Sequence, residues 1–304
     1  MLSTADRPLI SIIINCFNGE KYLRKALESI LSQTYTNWEV IFWDNRSSDN
    51  SKKIFSEFID SRFKYFISNT HTTLYEARNN AINQSKGEIL AFLDTDDWWD
   101  ENKLEKQIVF FKDEKVGLVH TNCYLFYENS KKKKIFQKKK LSSGYITKQL
   151  CKKYNIGILT VLLRKSAYIS LSGFNNKYKM IGDFDLIIRL SLVWKIISIN
   201  ECLASYRIHG ENFSILNNKV EIEELENWVS DNKIISDRNL SLYLTYIYRR
   251  IDYIKIRKII HDGELGKAFK KTIFYPMGIN KIKLILHIIL PKKFVRNWIL
   301  RAIY

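Results

Sequence analysis

Four short apolar runs mark the N-terminal third of the chain, and each is bounded by polar residues. They are Pro8–Asn15, Trp38–Asp44, Phe63–Ile67 and Ile89–Leu93. Apolar runs of this length are typical of strands that are buried on both faces of a parallel sheet. The pattern therefore predicts four buried parallel strands.

The segments between these runs space their apolar residues by three and four positions, which predicts amphipathic helices. A first helix is expected over residues 22–31 with Asn18 as its cap, a second from Ser47–Asp49 onward, and a third over Leu74–Ser85. Strand and helix alternate throughout this region, as they do in a doubly wound sheet. We therefore expect an α/β fold.

Beyond Asp97 the pattern predicts mixed elements and then helices. The expected elements are, in chain order, a helix over Lys103–Phe111, strands over Val116–Asn122 and Thr160–Leu163, a helix over Asp183–Leu192, and helices from residue 217 onward. Residues Cys123–Tyr127 are expected to continue into a hairpin whose tip is the run KKKKIFQKKK at Lys131–Lys140. A charge run of this kind is usually a solvated loop rather than a binding site.

The C-terminal segment interleaves apolar residues with lysine and arginine. Its apolar run Leu284–Leu290 is too short to span a bilayer, which takes about 20 residues. Together with Trp298 and Tyr304, the pattern suits a helix that lies in a membrane interface. The alternative is a helix packed on the core with a solvated basic face.

The composition is that of a globular chain, with 46% hydrophobic and 13% aromatic residues. A length of 304 residues accommodates one α/β domain and an appendage. The N-terminus, MLSTADRPLI, lacks the pattern of a secretion signal. The cysteines are widely spaced without a C-x-x-C motif, so we expect reduced structural residues of a cytosolic protein: Cys16, Cys123, Cys151 and Cys202.

The formal net charge of +17 is unevenly distributed along the chain. Residues 1–128 carry 15 Lys and Arg against 19 Asp and Glu, whereas residues 129–304 carry 34 against 13. This asymmetry indicates an acidic catalytic half and a basic half that meets an anionic partner. Nucleic acid, an anionic lipid surface and a phosphate-bearing substrate are all compatible with the charge alone.

Three carboxylates follow the fourth apolar run within GEILAFLDTDD. Ligands of open α/β sheets bind at the carboxyl ends of the strands, where this cluster is expected. Asp94 and Asp96 are one residue apart and can share a divalent cation, for which hard oxygen ligands favour Mg²⁺ or Mn²⁺. The alternative is that Asp96, Asp97 and Asp100 cap a following helix.

Four segments, in this order, make the chain resemble the family 2 glycosyltransferases of the GT-A fold. They are SIIINCFNGEKYLRKALESILSQTYTNWEVIFWDNRSSDNS from Ser11, EARNNAINQSKGEILAFLDTDDWW from Glu76, GDFDLIIRL from Gly182 and YRIHGENFS from Tyr206. The resemblance implies a GT-A, Rossmann-like domain over residues 1–214, with a nucleotide-binding half (1–100) and an acceptor half (101–214). A basic, mostly helical extension at 215–304 would follow.

The resemblance also assigns the residues that would bind the sugar-nucleotide donor. Cys16, Phe17 and Asn18 would lie along the nucleotide, with Phe17 stacked on the base, although Asn15-Cys16 replaces the usual Pro-Thr. Asp44 would accept the imide N–H of uracil; Asn45 follows it where an Asp is common, and guanine or thymine are alternative bases. Arg78 would approach the diphosphate, or else form a helix-surface salt bridge.

The metal and the diphosphate are assigned to the loop after the fourth run. Asp94, Thr95 and Asp96 match the Asp-x-Asp segment, so that Asp94 and Asp96 would hold Mn²⁺ or Mg²⁺. His209 matches a histidine that closes over the metal or the diphosphate. Asp97 would orient the loop or cap the next helix.

For catalysis, Asp183 matches the general base of an inverting transfer, and Asp185 is the alternative. Relatives often have Glu before this base, whereas Gly182 stands here. Trp98 and Trp99 would flank the acceptor, with core packing as the other interpretation, and Asp185 is also assigned to the acceptor side. The chain lacks the Gln-x-x-Arg-Trp motif of processive synthases, which favours transfer of single sugars.

The sequence thus predicts a metal-dependent, inverting hexosyltransferase that uses a nucleoside-diphosphate sugar, most simply a UDP-sugar. Its acceptor would be a glycan or lipid-linked precursor of a cell-surface polysaccharide or lipopolysaccharide. We expect a cytoplasmic protein, peripheral on the inner face of the plasma membrane, without a nucleic-acid partner. An Asp-x-Asp phosphohydrolase and a basic nucleic-acid-binding protein are the alternatives.

Overall fold

The computed structural model describes residues 7–210, 212, 218–234 and 243–290. The chain divides into two compact units, Met1–Leu216 and Asn217–Tyr304. Parts of two sequence patterns lie outside the described residues. They are Glu211, Phe213 and Ser214 of the fourth motif, and Trp298 and Tyr304 of the expected interfacial helix.

The first unit begins with four parallel strands, as predicted. They are β1 (Ile10–Cys16), β2 (Trp38–Asp44), β3 (Phe63–Ile67) and β4 (Ile89–Phe92), arranged in the order β3-β2-β1-β4. The intervening helices are α1 (Glu20–Leu31), α2 (Ser51–Ser56) and α3 (Leu74–Asn83). Since α1 packs on one face of the sheet and α3 on the other, β1 and β4 are buried almost completely.

The sheet continues beyond β4 with both strand directions. The added strands are β5 (Trp98–Trp99), β6 (Val116–Tyr127), β7 (Lys132–Ile135), β8 (Val161–Arg164) and β9 (Lys195–Ile208). The order runs β4-β8-β6-β9-β5, and β8 is antiparallel to both of its neighbours. The helices of this half are α4 (Lys103–Ile108), α5 (Thr147–Lys152), α6 (Lys165–Ser170) and α7 (Gly182–Val193).

The lysine-rich run was wrongly predicted to be the tip of a hairpin. The chain turns earlier, through a 3-10 turn at Glu128–Ser130 and through Lys131, whose φ is 52°. The next four residues form β7, which pairs antiparallel with Tyr124–Tyr127 of β6. Because the side chains of β7 are exposed, the lysines are solvated on an edge strand, where charge discourages pairing with another chain.

The N-termini of α1 and α2 cap each other. Asp49 Oδ2 accepts the N–H of Glu20 at 2.9 Å, and Glu20 Oε2 accepts the N–H of Asn50 at 2.8 Å. Asn18 is not the cap that we predicted, because Gly19 occupies the N-cap position. Asn18 instead has a φ of 53°, and its side-chain oxygen accepts the N–H of Ser48 at 2.8 Å.

The second unit is helical where it is described, in line with the sequence pattern. Its helices are α8 (Asn218–Ile234), α9 (Leu244–His261), α10 (Leu265–Phe274) and α11 (Ile279–Ile289). Leu284 of α11 is fully buried in a small core with Ile256, Ile260, Ala268 and Tyr275. Among the helices that the structure describes, none combines the length and hydropathy needed to cross a membrane.

Candidate functional site

The candidate site lies where the parallel strands end. β1 and β2 run in register to Cys16 and Asp44, and Phe92 of β4 pairs with Ile13 of β1. The order of the strands reverses at β1, since β2 follows on one side and β4 on the other. Such a switch point opens a crevice at the carboxyl ends of the strands, which is the usual ligand site of this architecture.

The loop after β1 packs directly against the loop after β4. A Cβ atom on Gly19 would lie 2.9 Å from Thr95 Oγ1 and 3.1 Å from Cys16 Sγ, so a larger residue would push the loops apart. Cys16 is buried and is therefore a packing residue of this loop. Phe17 is 55% exposed, and its ring lies 4.3 Å from that of His71. Phe17 thus presents an aromatic surface at the rim.

Asp44 is held rigidly at the end of β2. Its carboxylate accepts the Ser47 N–H at 2.7 Å and the Tyr65 hydroxyl at 2.6 Å. Burial and the Asp44 carboxylate together raise the pKa of Tyr65. A carboxylate has about four lone-pair positions, so Asp44 retains acceptor capacity. The neighbouring Asn45 amide is bonded to the backbone of Thr72 in both directions and is structural.

Arg78 is buried beneath the loop after β4 and does not form a helix-surface salt bridge. It is 3% exposed, and its guanidinium donates to Asp94 Oδ1 at 2.7 Å. The charge of Arg78 also lowers the pKa of Asp183. Arg78 is therefore a common neighbour of the predicted metal ligand and the predicted base.

Asp96 and His209 meet on the other side of the loop. Asp96 Oδ2 lies 3.0 Å from His209 Nε2 and 3.4 Å from the side-chain nitrogen of Asn212. The Asn212 amide also accepts the N–H of His209 at 2.6 Å and donates to the Arg207 carbonyl at 3.1 Å. Asn212 was not predicted from the sequence, although it lies within the motif that contains His209.

Asp97 anchors the loop to β9. It is buried, and its Oδ1 accepts the N–H of Arg207 at 2.8 Å. Burial raises the pKa of Asp97 well above its ordinary value, and the charges of Asp96 and Asp94 act in the same direction. The next helix begins at Lys103 with Asn102 at its N-cap, so Asp97 orients the loop and does not cap α4.

Two of the three predicted metal ligands contact each other, and the third has a different partner. Within the described residues, no group of three or more His, Cys, Asp or Glu side chains is placed to hold a metal ion. Asp96 contacts His209, whereas Asp94 contacts Arg78. The two aspartate side chains are 35% and 24% exposed, and carboxylate with imidazole is a donor set that Mn²⁺ accepts. The chemistry of these residues fits a divalent cation that shares its coordination with phosphate oxygens.

Asp183 lies at the start of α7 and contacts Tyr75 of α3. Its Oδ1 accepts the N–H of Phe184 at 2.8 Å and the Tyr75 hydroxyl at 3.3 Å. Burial raises the pKa of Asp183 above its ordinary value, although Arg78 and the two hydrogen bonds oppose that rise. A raised pKa suits a carboxylate that must accept a proton near neutral pH. A Cβ on the preceding Gly182 would lie 2.6 Å from the Tyr75 ring.

Two predicted acceptor-side residues have structural partners instead. Trp99 is 3% exposed and its Nε1 donates to the Leu159 carbonyl at 2.8 Å, which agrees with the core-packing interpretation of this residue. Asp185 is buried, and its carboxylate accepts two hydrogen bonds from Arg189, at 2.7 and 3.0 Å. This pairing favours Asp183 over Asp185 as the base. Trp98 is partly exposed beside the loop.

A family model described as glycosyl transferase family 2 matches residues 11–167. The UDP-Glc:alpha-D-GlcNAc-diphosphoundecaprenol beta-1,3-glucosyltransferase WfgD of Escherichia coli is 35% identical over 53% of this chain. The chain spans 62% of that protein's length. A Bacillus subtilis protein named as a teichuronic acid biosynthesis glycosyltransferase, TuaG, is 31% identical over 70% of this chain and 83% of its own length.

A solved structure supports the fold. The mannosyltransferase PcManGT from Pyrobaculum calidifontis, in complex with GDP-Man and Mn²⁺, superposes with a TM-score of 0.62 at 14% identity. The match covers 92% of this chain and 79% of that chain. At this identity the likeness concerns the fold alone, and it confirms the fold that the sequence predicted.

Proposed function

The chain belongs to glycosyltransferase family 2, and on that premise we propose that it transfers a sugar from a UDP-sugar to a hydroxyl of a lipid-linked or glycan acceptor in cell-surface glycan synthesis. The name of the Escherichia coli relative includes a UDP-sugar donor and a lipid diphosphate acceptor. The observation that carries the proposal is the position of Arg78, which interacts with both Asp94 and Asp183. The Arg78 guanidinium would therefore interact with both the donor diphosphate and the catalytic base in one crevice.

The donor would lie along the carboxyl ends of β1, β2 and β4. Phe17 offers an exposed ring for the base, and Asp44 offers a fixed carboxylate for the imide N–H of uracil. Cys16, Asn18 and Thr95 shape the loops that meet at Gly19. Arg78 would neutralise the diphosphate, and its burial strengthens that interaction because the site contains less water.

Asp94, Asp96 and His209 would hold Mn²⁺ or Mg²⁺ together with the oxygens of the donor diphosphate. Such a cation stabilises the negative charge that builds on the leaving nucleoside diphosphate. Asp94 must then share its carboxylate with Arg78, and Asp97 keeps both ligands in position through β9.

Asp183 would accept the proton of the acceptor hydroxyl as that hydroxyl attacks the anomeric carbon. A single attack from the face opposite the leaving group inverts the configuration at that carbon. Tyr75 donates to the same carboxylate and therefore orients it. Trp98, beside the loop after β4, would contact the acceptor.

Conservative variants of the metal ligands test this function. We expect Asp94→Asn and Asp96→Asn to lower Mn²⁺-dependent turnover of a panel of sugar nucleotides by about 100-fold or more, since each removes a charge that acts in the transition state. Asp94→Asn still offers Arg78 a hydrogen-bond acceptor, which limits damage to the fold. The exposed Asp100, as Asp100→Asn, is the matched control. Undiminished turnover in both variants would refute the metal assignment.

A further inference from the structure

Cationic side chains gather on an aromatic surface beside the loop after β4. The surface consists of Trp98 and Phe126, whose ring centroids are 5.3 Å apart in an edge-to-face arrangement. Lys25 Nζ lies 3.7 Å from the centre of the Trp98 ring, and the guanidinium carbon of Arg207 lies 4.8 Å from it. The two cations come from α1 and β9, so distant parts of the chain build this surface.

The hairpin of β6 and β7 adds two further cations. Lys133 Nζ lies 5.9 Å from the Trp98 ring, and Lys131 Nζ lies 5.9 Å from the Phe126 ring. Partial burial lowers the pKa of Lys25, and three neighbouring positive charges lower it further, whereas the Glu28 carboxylate raises it; the three are Arg207, Lys133 and Lys131. These four residues, Lys25, Lys131, Lys133 and Arg207, are the cationic cluster.

Positive charges outnumber carboxylates around Lys25, where Arg207, Lys133 and Lys131 face the single carboxylate of Glu28. In the part of the chain that the structure describes, Lys25, Lys131 and Lys133 form no ion pair. Glu128 also lies nearby, where it accepts the hydroxyl of Tyr22 at 2.8 and 2.9 Å, pairs with Lys21 at 3.7 Å and interacts with the charge of Arg207. Like charges that outnumber their counter-charges repel each other, and a bound anion reduces that repulsion. The basic excess is also local, since residues 129–216 carry 17 Lys and Arg against 4 Asp and Glu.

The cluster is connected to the loop that carries the predicted metal ligands. Arg207 Nε donates to the Asp96 carbonyl at 2.8 Å, and its guanidinium lies 4.4 Å from the Tyr22 ring. The Tyr22 ring in turn lies 5.1 Å from the His209 ring. An anion on the cluster would therefore be bound next to the donor site and outside it.

We propose that the cationic cluster binds the diphosphate group of a lipid-linked acceptor and thereby positions the acceptor sugar beside the Asp94–Asp97 loop. A diphosphate carries two or more negative charges and has several acceptor oxygens, which matches four converging cations. Under the proposed function the donor diphosphate would be bound separately by Arg78, which contacts Asp94 at 2.7 Å. This inference rests on the proposed function.

The test uses the full chain saturated with UDP and Mn²⁺, so that the donor site is filled. Octyl diphosphate is then titrated by calorimetry against the parent, Lys25→Gln/Lys133→Gln and the control Lys138→Gln/Lys139→Gln. All four lysines are exposed, and the control pair lies in the same basic run without contacting Trp98. We expect binding to the parent and control, and about tenfold or greater weakening in the cluster variant, because two of the four cations are removed.

The outcomes separate this inference from the proposed function. If UDP binds but octyl diphosphate binds the cluster variant as tightly as the parent, the inference is wrong and the proposed function stands. If UDP does not bind, the proposed function fails, and the titration of ligand-free chain still reports on the cluster. Binding of the same variants to anionic phosphatidylglycerol vesicles is measured as well. Weakened vesicle binding in the cluster variant, with no octyl diphosphate binding to the parent, would assign the cluster to lipid headgroups and overturn the proposal.

Discussion

Gly182 illustrates how a single missing side chain shapes the candidate site. The resemblance predicts an acid at this position, whereas the Tyr75 ring occupies the space that a Cβ would need. Tyr75 is itself buried and bonded to the Met180 carbonyl at 2.8 Å, so it has little freedom to move. The glycine therefore allows Tyr75 to reach the carboxylate of Asp183.

We predict that Gly182→Ala destabilises the fold by about 1–3 kcal/mol, the usual cost of overpacking, and lowers turnover. The control is Gly266→Ala in the first turn of α10, where a Cβ would meet no atom within 4 Å. There, alanine is expected to stabilise the helix by about 0.5–1 kcal/mol. Thermal unfolding of both variants measures these changes in stability, for which we expect opposite signs. Equal shifts in melting temperature would contradict the packing argument.

Tyr75→Phe tests whether Tyr75 positions the base. The Tyr75 hydroxyl lowers the pKa of Asp183 against the larger effect of burial, so its removal should raise that pKa. Because Asp183 must be deprotonated to act, the acid limb of kcat/KM should move to higher pH, and turnover should fall by about tenfold. Tyr168→Phe, another buried tyrosine, is the control. An unchanged acid limb would leave Tyr75 with a packing role only.

Residues within one motif were easier to predict than contacts between motifs. Asp94 and Asp96 follow an apolar run, so their position at the strand end could be predicted. The contact of Tyr75 with Gly182 joins segments more than 100 residues apart, and a single sequence contains no signal for it. The sequence left two interpretations of Trp99 open because an aromatic residue beside an acidic loop has the same pattern whether it is buried or exposed.

The reciprocal caps of α1 and α2 join the N-termini of these two helices. Hydrogen bonds to Asp49 from Ser51 and from the Glu20 N–H lower its pKa, although burial opposes them. A carboxylate whose pKa is depressed by folding stabilises the native state above its unfolded pKa of about 3.9. That contribution is lost as the pH falls through the pKa of the folded state.

We therefore predict that Asp49→Ala lowers the free energy of unfolding by about 1 kcal/mol at pH 7, the usual value of a helix cap. The difference from the parent should shrink below about pH 4. Glu57→Ala is the control, since Glu57 joins the same helices through an exposed salt bridge with Arg24, which is worth little. Denaturation at several pH values measures both, and an equal loss in the control would contradict the capping argument.

Strands that are buried on both faces were predicted well, and the exposed strand β7 was not. Strands β1, β2 and β4 are buried on both faces, and their apolar runs reflect that burial. β7 is exposed along its whole length and contains mainly lysine, so neither periodicity nor propensity distinguishes it from a loop. Pairing with β6 decides its conformation, and that pairing depends on where the chain turns.

At the scale of the whole molecule, exposed apolar side chains concentrate in the second unit. Between Leu265 and Leu290 the sequence has five lysines and no acidic residue. The same stretch exposes Phe269, Ile273, Phe274, Met277, Ile279, Ile282, Leu286, Ile289 and Leu290. Apolar residues with interspersed lysines are typical of a surface that enters an anionic membrane interface. The sequence pattern predicted such a membrane-interface surface for Leu284–Leu290, and the structure extends the exposed apolar surface to α10.

We predict that the chain binds phosphatidylglycerol vesicles more tightly than phosphatidylcholine vesicles, and that 1 M salt weakens the difference. Phe274→Gln and Ile289→Gln should each weaken sedimentation with anionic vesicles by about tenfold, since each removes an apolar side chain worth about 1.5–3 kcal/mol when buried. Ile59→Gln, at a residue 98% exposed in the first unit, is the matched control. If all three variants bind as the parent does, the second unit does not use this surface to contact lipid.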